Sequence, residues 1–207
     1  MAFRDRDDAA HRLAERLAVY RGQHAVVLGI PRGGVPMAAA IADAIEGVVD
    51  VVLVRKLRAP DNPELAIGSI DERGTMYLEP AARGLFDATY LDEEVRRQTT
   101  LLQARRHAYG RPAADVRGRV VVVVDDGIAT GATMIAAVRA LRAQGAARVV
   151  VAAGVASREA VDHLRGEADD VVVVEVPAML LAIGYHYADF SEVTDADVQT
   201  VLAKGKR

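Results

Sequence analysis

Residues 121–133 read VVVVDDGIATGAT. Val120 extends the run, so five β-branched residues stand in succession, as expected of a central strand buried on both faces of a sheet. Two carboxylates, Asp125 and Asp126, are expected to end that strand. Left without partners they would repel each other and be costly to desolvate, so something polar must meet them: water, a metal or ligand hydroxyls. The next residues, Ala129, Thr130, Gly131, Ala132 and Thr133, form a loop of small and hydroxylated residues that opens a helix. Its backbone N–H groups and two hydroxyls make an anion nest at a helix N-terminus. An acidic pair that can bind a diol, placed beside a phosphate nest, describes a site for a ribose 5-phosphate.

Two other readings of the segment exist. An Asp pair after a strand can simply cap a helix or form a turn. A strand ending in Asp also occurs on the metal side of nucleotide hydrolases, but that use needs a G-x-x-x-x-G-K-[ST] loop, which the sequence lacks.

Outward from this segment the chain alternates strand and helix. An amphipathic helix is expected over 8–20, with Leu13 and Leu17 on its apolar face. A strand over 25–29 runs into the turn Ile30-Pro31-Arg32-Gly33-Gly34, and a helix follows to Ile45 with Pro36 in its first turn. A second strand is expected over 48–54 and a proline-containing loop over 57–64. A β-hairpin spans 65–78 around Asp71-Glu72-Arg73-Gly74. A long polar helix covers 91–108, and a helix over 133–144 is stopped by Gly145. Strands over 149–153 and 171–174 flank a helix at 158–164, and a helix capped by Thr194 covers 195–202. The alternation predicts an α/β fold: an open, mostly parallel twisted sheet with helices on both faces, a β-hairpin loop region and a small C-terminal hood. One domain spans 1–207, with its core about 8–175 and the hood about 176–207. Ligands in such folds bind at the carboxyl ends of the strands.

The bulk composition narrows the function classes. A net charge of −3 gives no global basic excess for nucleic acid. Cysteine is absent, which excludes disulfides, thiolate metal sites and a cysteine nucleophile. The N-terminus lacks an apolar signal region and no apolar run approaches membrane-spanning length, so a cytoplasmic protein without membrane partners is expected. The five histidines, His11, His24, His107, His163 and His186, are scattered without metal-ligand spacing.

VVVVDDGIATGAT resembles the phosphoribosyl pyrophosphate (PRPP) binding motif of the type I phosphoribosyltransferases. The segments RKLRAPDNPELAIGSI (55–70) and VPAMLLAIGYHYADFSEVTDADV (176–198) are similar to those of stand-alone bacterial phosphoribosyltransferase-like proteins. The resemblance covers essentially the whole chain. It implies that Asp125 and Asp126 contact ribose hydroxyls and that Ala129, Thr130, Gly131, Ala132 and Thr133 wrap the 5-phosphate. It implies a pyrophosphate loop at Arg32, Gly33 and Gly34, with Lys56, and less firmly Arg55, as a basic partner after the second strand. Mg²⁺ is the implied cofactor; Asp125 and Asp126 would reach it through ribose or water. A homodimer is implied as well.

The implied reaction transfers 5-phosphoribosyl from PRPP to a small-molecule nitrogen acceptor, a nucleobase, with release of pyrophosphate. Arg32, Lys56 and the Gly33 and Gly34 amides would stabilise the leaving group, and Asp125 and Asp126 would orient the ribose. Enzymes of the family that use 6-oxopurines place an Asp three residues beyond the acidic pair, where this chain has Ala129, which argues against hypoxanthine or guanine. In the adenine and orotate enzymes the acid–base residues lie on a mobile loop, which here offers Glu64, Asp71 and Glu72. Solvated loop charges are the other reading of these three. The hood is the implied acceptor site, and Tyr185, Tyr187 and Phe190 could stack on a base or pack onto the sheet. The alternative function is a PRPP-binding regulator with weak or no catalysis. Its RNA-binding face would be the basic stretch Arg96, Arg97, Arg105, Arg106, Arg111, Arg117 and Arg119. A sugar-phosphate hydrolase using the same site is a third reading.

Overall fold

The computed structural model describes residues 2–205; the side chains at 63 and 64 lie outside the described part. Five parallel strands form the main sheet in the order β2-β1-β6-β7-β8: β1 (Val26–Gly29), β2 (Val48–Val51), β6 (Val120–Ile128), β7 (Arg148–Ala156) and β8 (Asp170–Glu175). Alternation along β6 explains the valine run. Val122 and Val124 face a core made with α1 (Arg6–Arg16) and α2 (Gly34–Ala44). Val121 and Val123 face the opposite core, made with α4 (Ala132–Ala143) and α5 (Arg158–Leu164). Helices therefore cover both faces, and a strand buried on both sides has no position for a polar residue until it reaches the sheet edge.

The strand order reverses between β1 and β6. From β1 the chain crosses outward to β2, and from β6 it crosses the other way to β7 and β8. Such a switch point leaves a crevice at the carboxyl ends of the two strands. The loops leaving β1 and β6 both open into it.

Three expectations are corrected. β6 does not end at the acids; it runs on through them, with Asp125 opposite Ala153 and Gly127 opposite Val155. The second strand stops at Val51. The segment expected to be an open loop is β3 (Val54–Ala59) turning into β4 (Asn62–Asp71), which pairs in turn with β5 (Met76–Leu78). Proline draws the reading toward a loop, yet Pro60 occupies the tight turn between Ala59 and Asn62, where a missing N–H is harmless. Leu57 and Ala59 alternate inward to meet Ile67 and Ile70 in a third core.

That third core is closed by α3 (Ala88–Ala108) and α6 (Asp195–Lys204), through Leu102, Tyr109, Val198 and Leu202. Thr194 caps α6 in a reciprocal capping box with Asp197. The segment before α6 packs elsewhere. A short 3₁₀ turn at Ile183–His186 lies on β6 and β7, and the stretch after it pairs with the N-terminus: the Ala2 and Phe3 amides donate to the His186 carbonyl, and the Ala188 amide donates to Phe3.

Candidate functional site

The crevice is lined from both sides by helix N-termini. Four helices have a side chain accepting from their first free amides: Asp5 on α1, Asp87 on α3, Ser157 on α5 and Thr194 on α6. The two that lack one are α2 and α4, whose N-caps are Gly33 and Gly131. These are the helices that leave β1 and β6 at the switch point. An uncapped helix start carries a positive partial charge, so it suits an anion. At α2 the Gly34 and Val35 amides already donate to the Ile30 and Arg32 carbonyls at 3.1 and 3.2 Å, and Pro36 has no N–H, so that end offers its charge and the Gly33 amide. At α4 the Ala132 amide donates to the Thr130 hydroxyl at 3.5 Å.

At the α4 end, Gly131 adopts a left-handed backbone with φ of 78°, which a side chain would strain. Ala129, Thr130 and Thr133 are exposed, while Gly131 is buried. The loop is anchored from β7: the Ser157 hydroxyl donates to the Ala129 carbonyl at 2.7 Å, and the Ser157 amide donates to Ile128 at 3.0 Å. The nest residues are thus held in place from behind, and the Thr130 hydroxyl accepts from the Ala132 amide.

At the α2 end, the Pro31–Arg32 peptide is cis. Gly33 and Gly34 are expected to be small so that the backbone can approach a phosphate; the structure supplies a second reason. A Cβ on Gly34 would lie 2.3 Å from the Val124 carbonyl oxygen, and one on Gly33 would lie 1.9 Å from the Asp126 carboxylate. The loop is pressed directly against the acidic pair. Arg32 donates from Nη2 to Glu192 Oε1 at 2.5 Å, an exposed ion pair between this loop and the segment before α6.

Between the two ends stand the acids. Asp125 is half-buried and accepts from the Asp126 amide at 2.9 Å. Burial and then the Asp126 charge push its carboxyl well above the ordinary carboxylate range, against the smaller opposing pull of that amide and of Arg6. Asp126 accepts from Arg6 Nε at 2.8 Å, with the two side chains only 13% and 15% exposed. Sequence reasoning missed Arg6, which lies 120 residues away from Asp126. One signal was present: a cation at the first position of a helix opposes the helix dipole, so an arginine there calls for an anionic partner.

Lys56 is exposed on β3 and lines a cleft of about 650 Å³ with Arg55, Arg58, Arg97 and Thr133. The structure therefore brings Lys56 to the nest end of the site, beside Thr133. The hood aromatics divide. Tyr187 is buried, and its hydroxyl donates to the Asp126 carbonyl at 2.6 Å, so it packs onto the sheet and offers no face for stacking on a base. Burial, with the Asp126 charge next, also raises its phenol. Phe190 is stacked on Tyr187 and lies beneath the Arg6 guanidinium. Tyr185 is exposed.

The loop carboxylates are structural. Asp71 is buried; it accepts from the Arg73 and Thr75 amides and from Gln144. Glu72 is clamped by Arg106 at 2.5 and 2.6 Å. Neither is a solvated charge, and neither is available to move a proton. Glu64 belongs to β4, and its side chain lies outside the described part. The basic stretch is dispersed too: Arg97 pairs with Glu94, Arg105 with Asp195 and Arg106 with Asp50 and Glu72, while Arg111 and Arg119 donate to backbone carbonyls. Five of the seven arginines are thus engaged by other groups of the chain.

Among the described residues, no three His, Cys, Asp or Glu side chains gather as a metal site. No helix is long and apolar enough to cross a membrane, again among the described residues.

A phosphoribosyl transferase domain model matches residues 5–187. Two Mycobacterium tuberculosis proteins, from strains CDC 1551 and H37Rv, each named as a candidate phosphoribosyl transferase, are 43% identical over 99% of this chain. The chain spans 47% of the length of those relatives. A ribose-phosphate pyrophosphokinase of Chromobacterium violaceum is 32% identical over 64% of the chain and 42% of its own length. The crystal structure of TT1426 from Thermus thermophilus superposes with a TM-score of 0.90 at 48% identity, covering 98% of both chains. With a family model matching nearly its whole length, the chain belongs to the phosphoribosyl transferase domain family.

Proposed function

We propose that this chain is a Mg²⁺-dependent phosphoribosyltransferase that takes PRPP, transfers its 5-phosphoribosyl group to a nitrogen acceptor, a nucleobase, and releases pyrophosphate. The observation that carries the proposal is two adjacent carboxylates flanked by the positive ends of two helices whose N-caps are glycines. PRPP has a phosphate at one end, a diphosphate at the other and a diol between them. The order of groups in the crevice is complementary to that order.

In the reaction, the bond from ribose C1 to the pyrophosphate oxygen breaks, a C1–N bond forms, and the acceptor nitrogen gives up a proton. The protein's part is electrostatic and positional. Arg32 and the Gly33 amide, at the positive end of α2, hold the departing diphosphate, with Glu192 released from Arg32 as they do so; the Gly34 amide is already committed to the Ile30 carbonyl at 3.1 Å, and Gly34 serves by its small size. Asp125 and Asp126 orient the ribose hydroxyls, and their charge favours positive charge developing on the ring. Ala129, Thr130, Gly131, Ala132 and Thr133 hold the 5-phosphate, with Lys56 beside them. Tyr185 is the hood aromatic free to meet a base.

The donor set fits Mg²⁺ held mostly by the ligand. This ion commonly keeps waters and takes one or two carboxylates together with substrate phosphates. Here Asp126 already has an arginine partner, which leaves Asp125 and the ligand oxygens as the main donors. Bound there, the ion would neutralise diphosphate charge.

Calorimetric titration of PRPP with Mg²⁺ tests the reading on the wild type and on Asp125→Asn/Asp126→Asn. Saturable binding that the double variant weakens by about a hundredfold, roughly 2.7 kcal/mol, is the expected result. Pyrophosphate release across a panel of nucleobases then identifies the acceptor. A well-folded wild type that does not bind PRPP would overturn the proposal.

A further inference from the structure

We propose that Arg6 is a positioning residue of the ribose site, gripping Asp126 and tying it to the segment that carries Tyr187, Phe190 and Ser191; this rests on the PRPP reading above. Arg6 is the first residue of α1. Its Nε donates to Asp126 Oδ2 at 2.8 Å, and its Nη1 donates to the Ser191 carbonyl at 2.7 Å. Its guanidinium carbon sits 3.9 Å from the centre of the Phe190 ring. Phe190 stacks on Tyr187 with ring centres 5.0 Å apart, and the Tyr187 hydroxyl closes the circuit on the Asp126 carbonyl at 2.6 Å. Asp126 is therefore held at its carboxylate and at its backbone by two side chains that are linked through one aromatic ring.

This circuit lies directly under the loop leaving β1. The Cβ position of Gly33 is 1.9 Å from Asp126 Oδ2 and 3.2 Å from Arg6 Nε, so a side chain at 33 would enter the ion pair. With Oδ2 committed to Arg6, the other oxygen of Asp126 is the one left for a ribose hydroxyl, and the carboxylate is fixed before ligand arrives. A charge-assisted bond in a largely enclosed place restrains its partner more firmly than an exposed one. Arginine suits the role because one planar group must donate in two directions and present a face to an aromatic ring. A lysine ammonium keeps the charge but not that geometry.

The consequence is selective. Misplacing Asp126 harms a ligand that has a ribose and spares one that is diphosphate alone, because Arg32 and the Gly33 amide are untouched. Arg6→Lys and Phe190→Leu are titrated with PRPP and, separately, with inorganic pyrophosphate, both with Mg²⁺, and folding is checked by circular dichroism. Arg6→Lys is expected to weaken PRPP about tenfold while changing pyrophosphate by less than about twofold. Phe190→Leu is expected to shift the same ligand in the same direction by less. Equal losses for the two ligands would mean that Arg6 only holds the fold, and an unchanged PRPP affinity in Arg6→Lys would mean that it holds nothing of consequence; either overturns the inference. A wild type that binds pyrophosphate but not PRPP overturns the PRPP reading and this inference with it.

Discussion

Asp125 and Asp126 are adjacent carboxylates that follow the valine run within β6, and the fold treats them differently. Asp126 receives a guanidinium from Arg6, whereas Asp125 receives one backbone amide and its neighbour's negative charge. The Asp125 carboxyl is consequently pushed above its unfolded value of about 3.9. A carboxyl raised on folding contributes stability below the unfolded value, and that contribution is lost as pH rises through the folded value. At neutral pH the native state has therefore lost some of that contribution and is disfavoured relative to one with a neutral side chain at this position. Asp125→Asn removes the charge, and its side-chain oxygen can still accept from the Asp126 amide. The variant should melt at a higher temperature than wild type at pH 7, with the gap narrowing as pH falls toward about 4, while losing affinity for PRPP. Melting curves at several pH values check this; a lower melting temperature at neutral pH would show that Asp125 makes a structural bond outweighing its cost. Stability sacrificed at one residue is expected where a site must stay ready for a ligand that completes it.

At the scale of elements, the hairpin sheet is fixed to the main sheet by Arg106 of α3. Its guanidinium donates to Asp50 at 2.8 Å, to the Val51 carbonyl at 2.9 Å and to both oxygens of Glu72. Asp50 is fully buried at the end of β2, where it also accepts from the Ala114 and Val51 amides. Arg106→Met should cost about 3 kcal/mol, because it strands a buried carboxylate, and adding Asp50→Asn should recover part of the loss. Urea denaturation measures both; additive losses would show that the two residues act independently. None of this network is legible in the sequence. Asp50 lies inside a valine strand and Arg106 inside a run of arginines, and periodicity does not pair residues 56 positions apart. Local patterns read well by contrast. α5 is expected at 158–164 and is found at Arg158–Leu164, and the Thr194 cap is visible from residue type alone. The β3–β4 hairpin escapes the sequence reading because Pro60 looks like a breaker, although in a turn it serves to reverse the chain. Within the candidate site, the acids, the nest and the two glycines lie in short contiguous segments and can be found. Arg6 cannot, since only the folded chain brings the start of α1 under the loop after β1.

For the molecule as a whole, the switch point brings the starts of two helices to one crevice. β1 and β6 are neighbours, so the helices that follow them start side by side, and neither start is capped by a side chain. A ligand carrying a single phosphate satisfies one helix end. On the proposed reading PRPP spans both, with its ribose across Asp125 and Asp126, and so should stabilise the native state more than its parts do. Binding to the native state alone adds about 2.7 kcal/mol at a ligand concentration roughly a hundred times Kd. For a chain of this size that corresponds to a rise of roughly 5–10 °C in melting temperature. Thermal shifts with PRPP, ribose 5-phosphate and pyrophosphate, at equal concentration and with Mg²⁺, measure the difference. The largest shift is expected for PRPP, with the two fragments each giving less. If PRPP shifts the transition no further than pyrophosphate does, the nest at residues 129–133 contributes nothing to ligand binding, and the two helix ends do not act as one site.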